Sequence, residues 1–573
     1  MFKTFTIILC FFNMTFCLAQ LSFQDSATAK GVGSAYGVAT YGGGVSFCDF
    51  DGDGWDDLTY STTDGQEVYF FKNNNGTFTQ IDLGINDTYR VKQVIWVDYD
   101  NDGDKDFVAT SISGLNKFYR NEGSLTFTDI TNTIGFFTSN LYTYGISFGD
   151  IDNDGDLDAF ISNRDDVTFN QYSYLYRNDN GTYVDISSTA GIFLGNQLSF
   201  CSAFFDFDND GDQDIYVAND KVTNKNRLYE NDGLGNFTDV SDFSGAGITI
   251  DAMSTTIGDY NNDGWFDIYV ANTTAGNYHL KNNGDGSFTN VAAAVGTSFD
   301  SIAWGSVFLD ADNDTDLDLY VSSSMDGTVP NRLSAAFYEN NGANNYTIPT
   351  GIGFANDLRK SFSNAMGDFN NDGLPDIVVM NDTDNYFLWE NTTTNTNNWL
   401  KVKLEGVISN KDGIGSKIEI SIGGNKQYRY TLCGEGYLGQ NSGTEMFGLG
   451  AATTIDYIKV NWLSGTEDIF YNIPANQTLN IIEGTPLSVE EFSNNNLSIY
   501  PNPTNGLVKI SNLKEDLELT IFNVLGKQLL VKKISQTKNT VDLRNYPKGI
   551  YLFTFKDALG NKITKKVILT IQK

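Results

Sequence analysis

The pattern D-x-[DN]-x-D-[GT]-x-x-D occurs seven times, beginning at Asp49, Asp98, Asp150, Asp206, Asp259, Asp310 and Asp368. The steps between starts are 49, 52, 56, 53, 51 and 58 residues. A period near 50 held over seven units restricts the chain to a propeller or a solenoid. The sequence around each loop recurs as well. A short apolar strand leads in, as in "YGISFGD" (144–150), and another leads out, as in "LDAFIS" (157–162). A third strand ends in asparagine, at Asn73, Asn121, Asn178, Asn231, Asn282, Asn340 and Asn391. A glycine-rich turn and an aromatic-centred strand such as "NFTDV" (236–240) close the unit. Four short strands joined by turns make one four-stranded antiparallel sheet.

The seventh unit lacks its last strand, and the segment "LSFQDSA" (21–27) resembles the missing one. A solenoid would need no such donation. Residues 20–395 are therefore read as a seven-bladed β-propeller closed by its own N-terminal strand. The fold class is all-β, with the propeller followed by two small β-sandwich-like domains.

The loops place oxygen ligands in a fixed pattern. The candidate ligands are Asp49, Asp51, Asp53 and Asp57 in loop one, and Asp98, Asp100, Asp102 and Asp106 in loop two. Loop three has Asp150, Asp152, Asp154 and Asp158, and loop four Asp206, Asp208, Asp210 and Asp214. Loop five has Asp259, Asn261, Asp263 and Asp267, and loop six Asp310, Asp312, Asp314 and Asp318. Loop seven has Asp368, Asn370, Asp372 and Asp376. Side chains at positions 1, 3, 5 and 9, with a carbonyl from position 7, suit calcium, which takes six to eight oxygens in irregular geometry. Glycine at position 6 allows the sharp turn. No Cys or His joins the clusters, which argues against zinc and copper. Magnesium wants fewer protein ligands and more water. An EF-hand would place Glu at position 12, where this chain has Tyr60, Ala109, Ile161, Val217, Val270, Val321 and Val379. Up to seven Ca2+ ions are expected, and they would bring the formal net charge from −35 to −21. Loops two, three and four, with full aspartate sets and glycine at position 6, should bind best. Asn261 and Asn370 each remove a charge, and Thr315 puts a β-branched residue where positive φ is expected.

These repeats resemble FG-GAP/VCBS repeats, as in integrin α-subunit propellers, and the resemblance implies calcium loops between the first two strands of each blade. After the propeller, "GIGSKIEI" (413–420), "MFGLG" (446–450) and "VNWLSG" (460–465) resemble the ASPIC/UnbV domain of cartilage acidic protein and its bacterial relatives, assigned to 396–485. A polar linker follows at 486–496. The stretches "LSIYPNPTNGLVKIS" (497–511) and "YPKGIYLFTF" (546–555) resemble the C-terminal sorting domain of the type IX secretion system, assigned to 497–573. That likeness implies the secretion machinery as a partner and delivery outside the cell or to the outer-membrane surface. From 485 onward the chain is basic, with 13 Lys and Arg against 7 Asp and Glu.

Residues 1–19 read as a secretory signal peptide: Lys3, an apolar core too short to span a membrane, then Ala19 before the cut. No transmembrane segment is expected in the mature chain, and the acidic balance argues against nucleic-acid binding. Cys48, Cys201 and Cys433 read as small buried apolar residues rather than a disulfide framework. His279, the single histidine, stands where other units have Leu or Phe and reads as packing. No nucleophile motif or phosphate loop is present. The leading reading is a non-catalytic, calcium-stabilised binding or adhesion protein for an extracellular glycan or protein. The alternatives are a polysaccharide-processing propeller enzyme (glycosidase or lyase) and a structural matrix component.

Overall fold

The computed structural model describes residues 21–570, apart from 39, 137–138, 355–356, 486–496, 514–515, 524–526 and 557–561. The expected signal peptide and linker lie outside the described residues. The chain divides into two compact units, Met1–Thr485 and Pro486–Lys573.

The first unit contains seven blades of four antiparallel strands, the first joined by a fifth, parallel strand at Gly439–Gln440. In the third, Thr143–Gly149 pairs with Asp158–Asn163, then Tyr174–Asn178, then Tyr183–Asp185. Burial falls across the blade. The first two strands are buried throughout, whereas the fourth shows one buried residue followed by two exposed ones. Strands covered on both faces carry near-continuous apolar runs, which is why "YGISF" and "AFIS" do not alternate. The innermost strands, from Val45–Cys48 round to Ser361–Gly367, each touch the next in a closed circuit of seven. Phe23–Asp25 completes the seventh blade, with Phe23 opposite Asn391 and Asp25 opposite Trp389. Phe23 is buried against Phe337 and Phe354, ring centroids 5.3 and 4.9 Å away.

Residues 398–482 form two further sheets within the same unit. One orders Thr444–Gly450, Asn398–Glu405, Gln477–Ile482; the other orders Asn425–Tyr430, Lys417–Ile422, Thr454–Asn461, Glu467–Pro474. Between them, residues 433–442 enter the centre of the ring. Inner strands of a propeller have unpaired N–H and C=O groups on their axial edges, and this segment satisfies them. Phe148 N–H donates to Cys433 O (2.9 Å), and Thr255 and Gly436 exchange backbone bonds of 3.1 and 2.8 Å. Gly439–Gln440 runs parallel to Val45–Ser46. The Gln440 amide imitates a strand: its Oε1 accepts from Trp96 N (2.9 Å) and its Nε2 donates to Trp96 O (2.6 Å). Met366 N–H donates to Asn441 Oδ1 (2.8 Å), and Ser442 N–H donates to Met366 O (2.8 Å). Tyr437, fully buried, meets Phe200 and Trp304 edge-on, and its hydroxyl donates to Tyr41 O. The sequence assigned 396–485 as a following domain; the structure makes it a cap whose loop plugs the propeller.

The second unit is a small sandwich. Ser498–Tyr500, Leu507–Ser511 and Thr540–Asp542 form one sheet; Gln528–Ile534, Leu517–Asn523, Gly549–Lys556 and Lys562–Leu569 form the other. Val508, Ile510, Leu519, Ile521, Phe553 and Phe555 fill the core between them. Among the described residues, no helix is long and apolar enough to cross a membrane.

Candidate metal centres

Each acidic loop joins the first and second strands of its blade. Two carboxylates hold its shape. The position-1 carboxylate wraps the turn: in loop two, Asp98 accepts Asp102 N–H (3.1 Å) and Gly103 N–H (2.9 Å). The same pair of bonds recurs at Asp150, Asp206, Asp259, Asp310 and Asp368. The position-9 carboxylate clamps loop to strand. Asp158 accepts Ile151 N–H (2.8 Å) and Asn178 N–H (2.7 Å), and all seven blades repeat this. Position 6 has positive φ throughout, +96° at Gly103 and +94° at Thr315. The strain expected at Thr315 is thus present.

Five loops bring three carboxylates within 4.8 Å of one another. They are Asp49, Asp51, Asp53; Asp98, Asp100, Asp106; Asp150, Asp152, Asp158; Asp206, Asp208, Asp210; and Asp310, Asp312, Asp314. In loops five and seven the third position is amide: Asn261 Oδ1 accepts Asp263 N–H (3.0 Å), and Asn370 Nδ2 donates to Asp372 Oδ2 (2.9 Å). Burial, reinforced by neighbouring carboxylates, pushes Asp98 and Asp150 up to about 7 and Asp57 and Asp106 up to about 8. Charge crowded in this way calls for a cation. Asp100 Oδ1, Asp152 Oδ1 and Asp208 Oδ1 are buried without a hydrogen-bond partner, and an unpaired buried carboxylate oxygen is costly. The donor set is all oxygen, so the loops fit a hard ion such as calcium.

The recurring asparagine, which sequence reading left without a role, joins neighbouring blades. Asn231 Nδ2 donates to Gln213 O in its own loop (3.0 Å) and to Ile151 O of the preceding blade (2.8 Å). Asn73, Asn178, Asn282 and Asn391 make the equivalent cross-blade bond. Position 4 carries the stitch onward: Asn101, Asn209, Asn262, Asn313 and Asn371 each donate to the position-6 carbonyl of the next loop.

The cap lies directly on this face. Lys401 Nζ sits 3.0 Å from Asp368 Oδ2, both buried, and Lys403 Nζ 3.0 Å from Asp49 Oδ2. Asp412 pairs with Lys105, Lys417 Nζ donates to Asn209 Oδ1 (2.6 Å) and Gly264 O (2.7 Å), and Gly450 N–H donates to Asn313 O (2.8 Å). A cavity of about 660 Å³ remains between loops one and two and the cap, lined by Asp49, Asp56, Lys105, Lys403, Asp412 and Glu445 among others. Two of its carboxylates are engaged: Asp56 with Ser442 (2.8 Å), Asp412 with Lys105.

His279 is fully buried between Tyr260, Tyr269 and Phe308, and burial lowers it to about 3, which keeps the ring neutral. It packs, as its place in the strand implied. Cys48, Cys201 and Cys433 are buried free thiols.

Fold and loops together define a propeller built of acidic-loop repeats, joined to a sorting module that directs export. Residues 49–109, 98–161, 206–270 and 259–321 match the model of the FG-GAP-like repeat. Residues 406–487 match that of ASPIC and UnbV, and 498–570 that of the secretion system C-terminal sorting domain. The chain is an exported repeat propeller, addressed by its type IX sorting domain to the cell surface or the medium. A search of curated proteins found no match. Among solved structures, the chain is similar over 92% of its length to PorZ, an essential bacterial surface component of the type-IX secretion system of Porphyromonas gingivalis. That likeness covers 81% of PorZ at 12% identity and a TM-score of 0.20. It is similar over 97% of its length to the extracellular domain of the putative hybrid two component system BT4673 of B. thetaiotaomicron, at 11% identity and a TM-score of 0.37. It spans 59% of that chain. At these scores neither likeness bears on function.

Proposed function

We propose that the protein is a calcium-stabilised, non-catalytic binding or adhesion module that engages an extracellular glycan or protein. One observation carries this reading: within the first unit, the cap covers the acidic-loop face and not the opposite face of the ring. In an antiparallel blade, the loop between strands two and three and the connection to the next blade both lie opposite the acidic loop. Those segments present Val167, Phe169, Phe193, Leu194 and Val222 to solvent in blades three and four. They are held firmly. Asn196 Nδ2 donates to Asp165 O (2.6 Å), Arg164 Nη2 pairs with Asp220 (2.7 Å), and the Arg227 guanidinium stacks over Phe193 at 4.3 Å. Exposed apolar side chains on ordered loops mark interaction surfaces more often than scattered ones do.

Calcium in this reading is structural. The test is a glycan array and a pull-down from medium with the full chain, with and without calcium, alongside Phe169→Ser and Val222→Ser. Binding should fall in both variants at unchanged melting temperature. Binding untouched by them but lost on substitution at the surface of the cap would defeat this assignment.

A further inference from the structure

The residue immediately before each blade asparagine occupies one structural column. Lys72, Arg120, Arg177, Glu230, Lys281, Glu339 and Glu390 are all half-buried, and each precedes the N–H that binds the position-9 aspartate. The lysines show where the column points. Lys72 Nζ contacts Asp51 and lies 3.0 Å from Asp53, and Lys281 Nζ lies 3.3 Å from Asp263. The arginines turn aside: Arg120 pairs with Glu122 (2.6 Å) and Arg177 with Asp179 (2.7 Å). The glutamates hold the same strand position as the lysines, one residue before the blade asparagine. Glu390 is itself paired with Lys30 at 3.2 Å.

We infer that this column gates the metal centres, so that a glutamate opens its loop to the ion and a lysine closes it. The inference rests on the calcium reading above and adds which loops fill. In loop one the Lys72 ammonium lies between two of the carboxylates an ion would need, and Lys403 sits on a third. Loop five carries Lys281 and already lacks one charge at Asn261. A divalent ion must displace the ammonium from each, and like charges a few ångströms apart repel strongly in a partly buried site. Loop four is the converse. Asp206, Asp208 and Asp210 converge, and Asp212 beside them is 8% exposed, with Oδ1 buried and unpartnered. Glu230 takes the column position here, so the only cation beside loop four among the described contacts is Lys417 of the cap, on Asn209 Oδ1 at 2.6 Å rather than on a carboxylate. Loop four fills before loops one and five.

Native mass spectrometry of the folded chain counts bound ions against free calcium. At the concentration where wild type first reaches its plateau, Lys72→Glu should hold one ion more and Glu230→Lys one fewer. Lys72→Gln should gain the same ion at higher calcium, which separates loss of the counter-charge from gain of a ligand. Circular dichroism confirms folding, and Glu230→Gln replaces Glu230→Lys should that variant not fold. Identical ion counts in wild type and the Lys72 and Glu230 variants at every concentration overturn the gate while leaving the calcium reading intact. No ion bound by any of them at millimolar calcium removes both.

Discussion

Gln440 is the residue through which the cap holds the ring most directly. Its side chain meets the Trp96 N–H and C=O and also accepts the Ser46 hydroxyl (2.7 Å). Gln440→Leu keeps the volume and removes all three bonds. Trp96 then keeps a buried donor without its partner and a buried acceptor left only the Cys433 thiol, at 3.9 Å. Each group left unpaired costs about 1–3 kcal/mol, so the variant should lose about 2–6 kcal/mol. The leucine regains only part of this, because the site stays polar. Equilibrium urea unfolding at fixed, saturating calcium measures the difference, with Gln80→Leu on the exposed fourth strand of blade one as control. The midpoint should fall with the slope unchanged, and tryptophan fluorescence and circular dichroism should shift together. A loss below about 0.5 kcal/mol, the scatter of ordinary surface substitutions, would mean that the plug merely fills space.

Four further outcomes follow from the same geometry. Chelation should lower the melting temperature, since an ion bound only by the folded state adds about 2.7 kcal/mol per site at a hundredfold excess over Kd; equal calorimetric traces with calcium and with chelator would contradict a structural ion. Thr315→Gly should stabilise the chain by about 1 kcal/mol in urea unfolding, because it releases a β-branched residue from φ +94°. Glu483 accepts the N–H groups of Val407, Ile408 and Ser409 at 2.7–2.8 Å, which with the Ser464 hydroxyl outweighs its burial and holds it at about 2. Its stabilisation is therefore full above the ordinary glutamate value and is lost as pH falls towards 2. Glu483→Gln should cost about 2 kcal/mol at pH 7, with the gap to wild type narrowing below about pH 4 in acid unfolding. Ending the chain at Ser493 should leave the first unit folded but retained in the cell, and fractionation showing normal arrival outside would refute the sorting role.

The parts of the fold that were legible are those written locally and repeatedly. Seven loops with one spacing gave the period, the period gave the blades, and the short count of strands in the seventh sent Phe23 to pair with Asn391. The asparagine column was equally visible, but its meaning was not: the Asn231 amide reaches Ile151 O, 80 residues away in another blade. Nothing in one repeat says that its carbonyl is owed to the next. The plug was illegible for a stronger reason. "CGEGYLGQN" has no periodicity, and its partners Phe148, Thr255, Val45 and Met366 belong to four different repeats. Only the closed ring makes them neighbours. Lys72 and Glu230 stand in the same column with opposite charge, so a consensus of the repeat erases the distinction between their loops.

The cap changes what the acidic loops can be for. A loop whose position-1 carboxylate touches Lys401 or Lys403, and whose neighbour loop is stitched to it through an asparagine, is an internal joint between ring and cap rather than an exposed docking point. An ion there would tie first and second strands of a blade together, and through the position-4 asparagines it would also steady the next loop. Its effect on any ligand is then indirect. The opposite face is built from the other ends of the same strands: Asp158–Asn163 leaves loop three and leads straight into Arg164 and the turn that presents Phe169. On the proposed reading, six buried residues would link the metal end to the binding end. Calcium dependence of binding is therefore expected to track the melting curve of the ring and not the charge of the ligand.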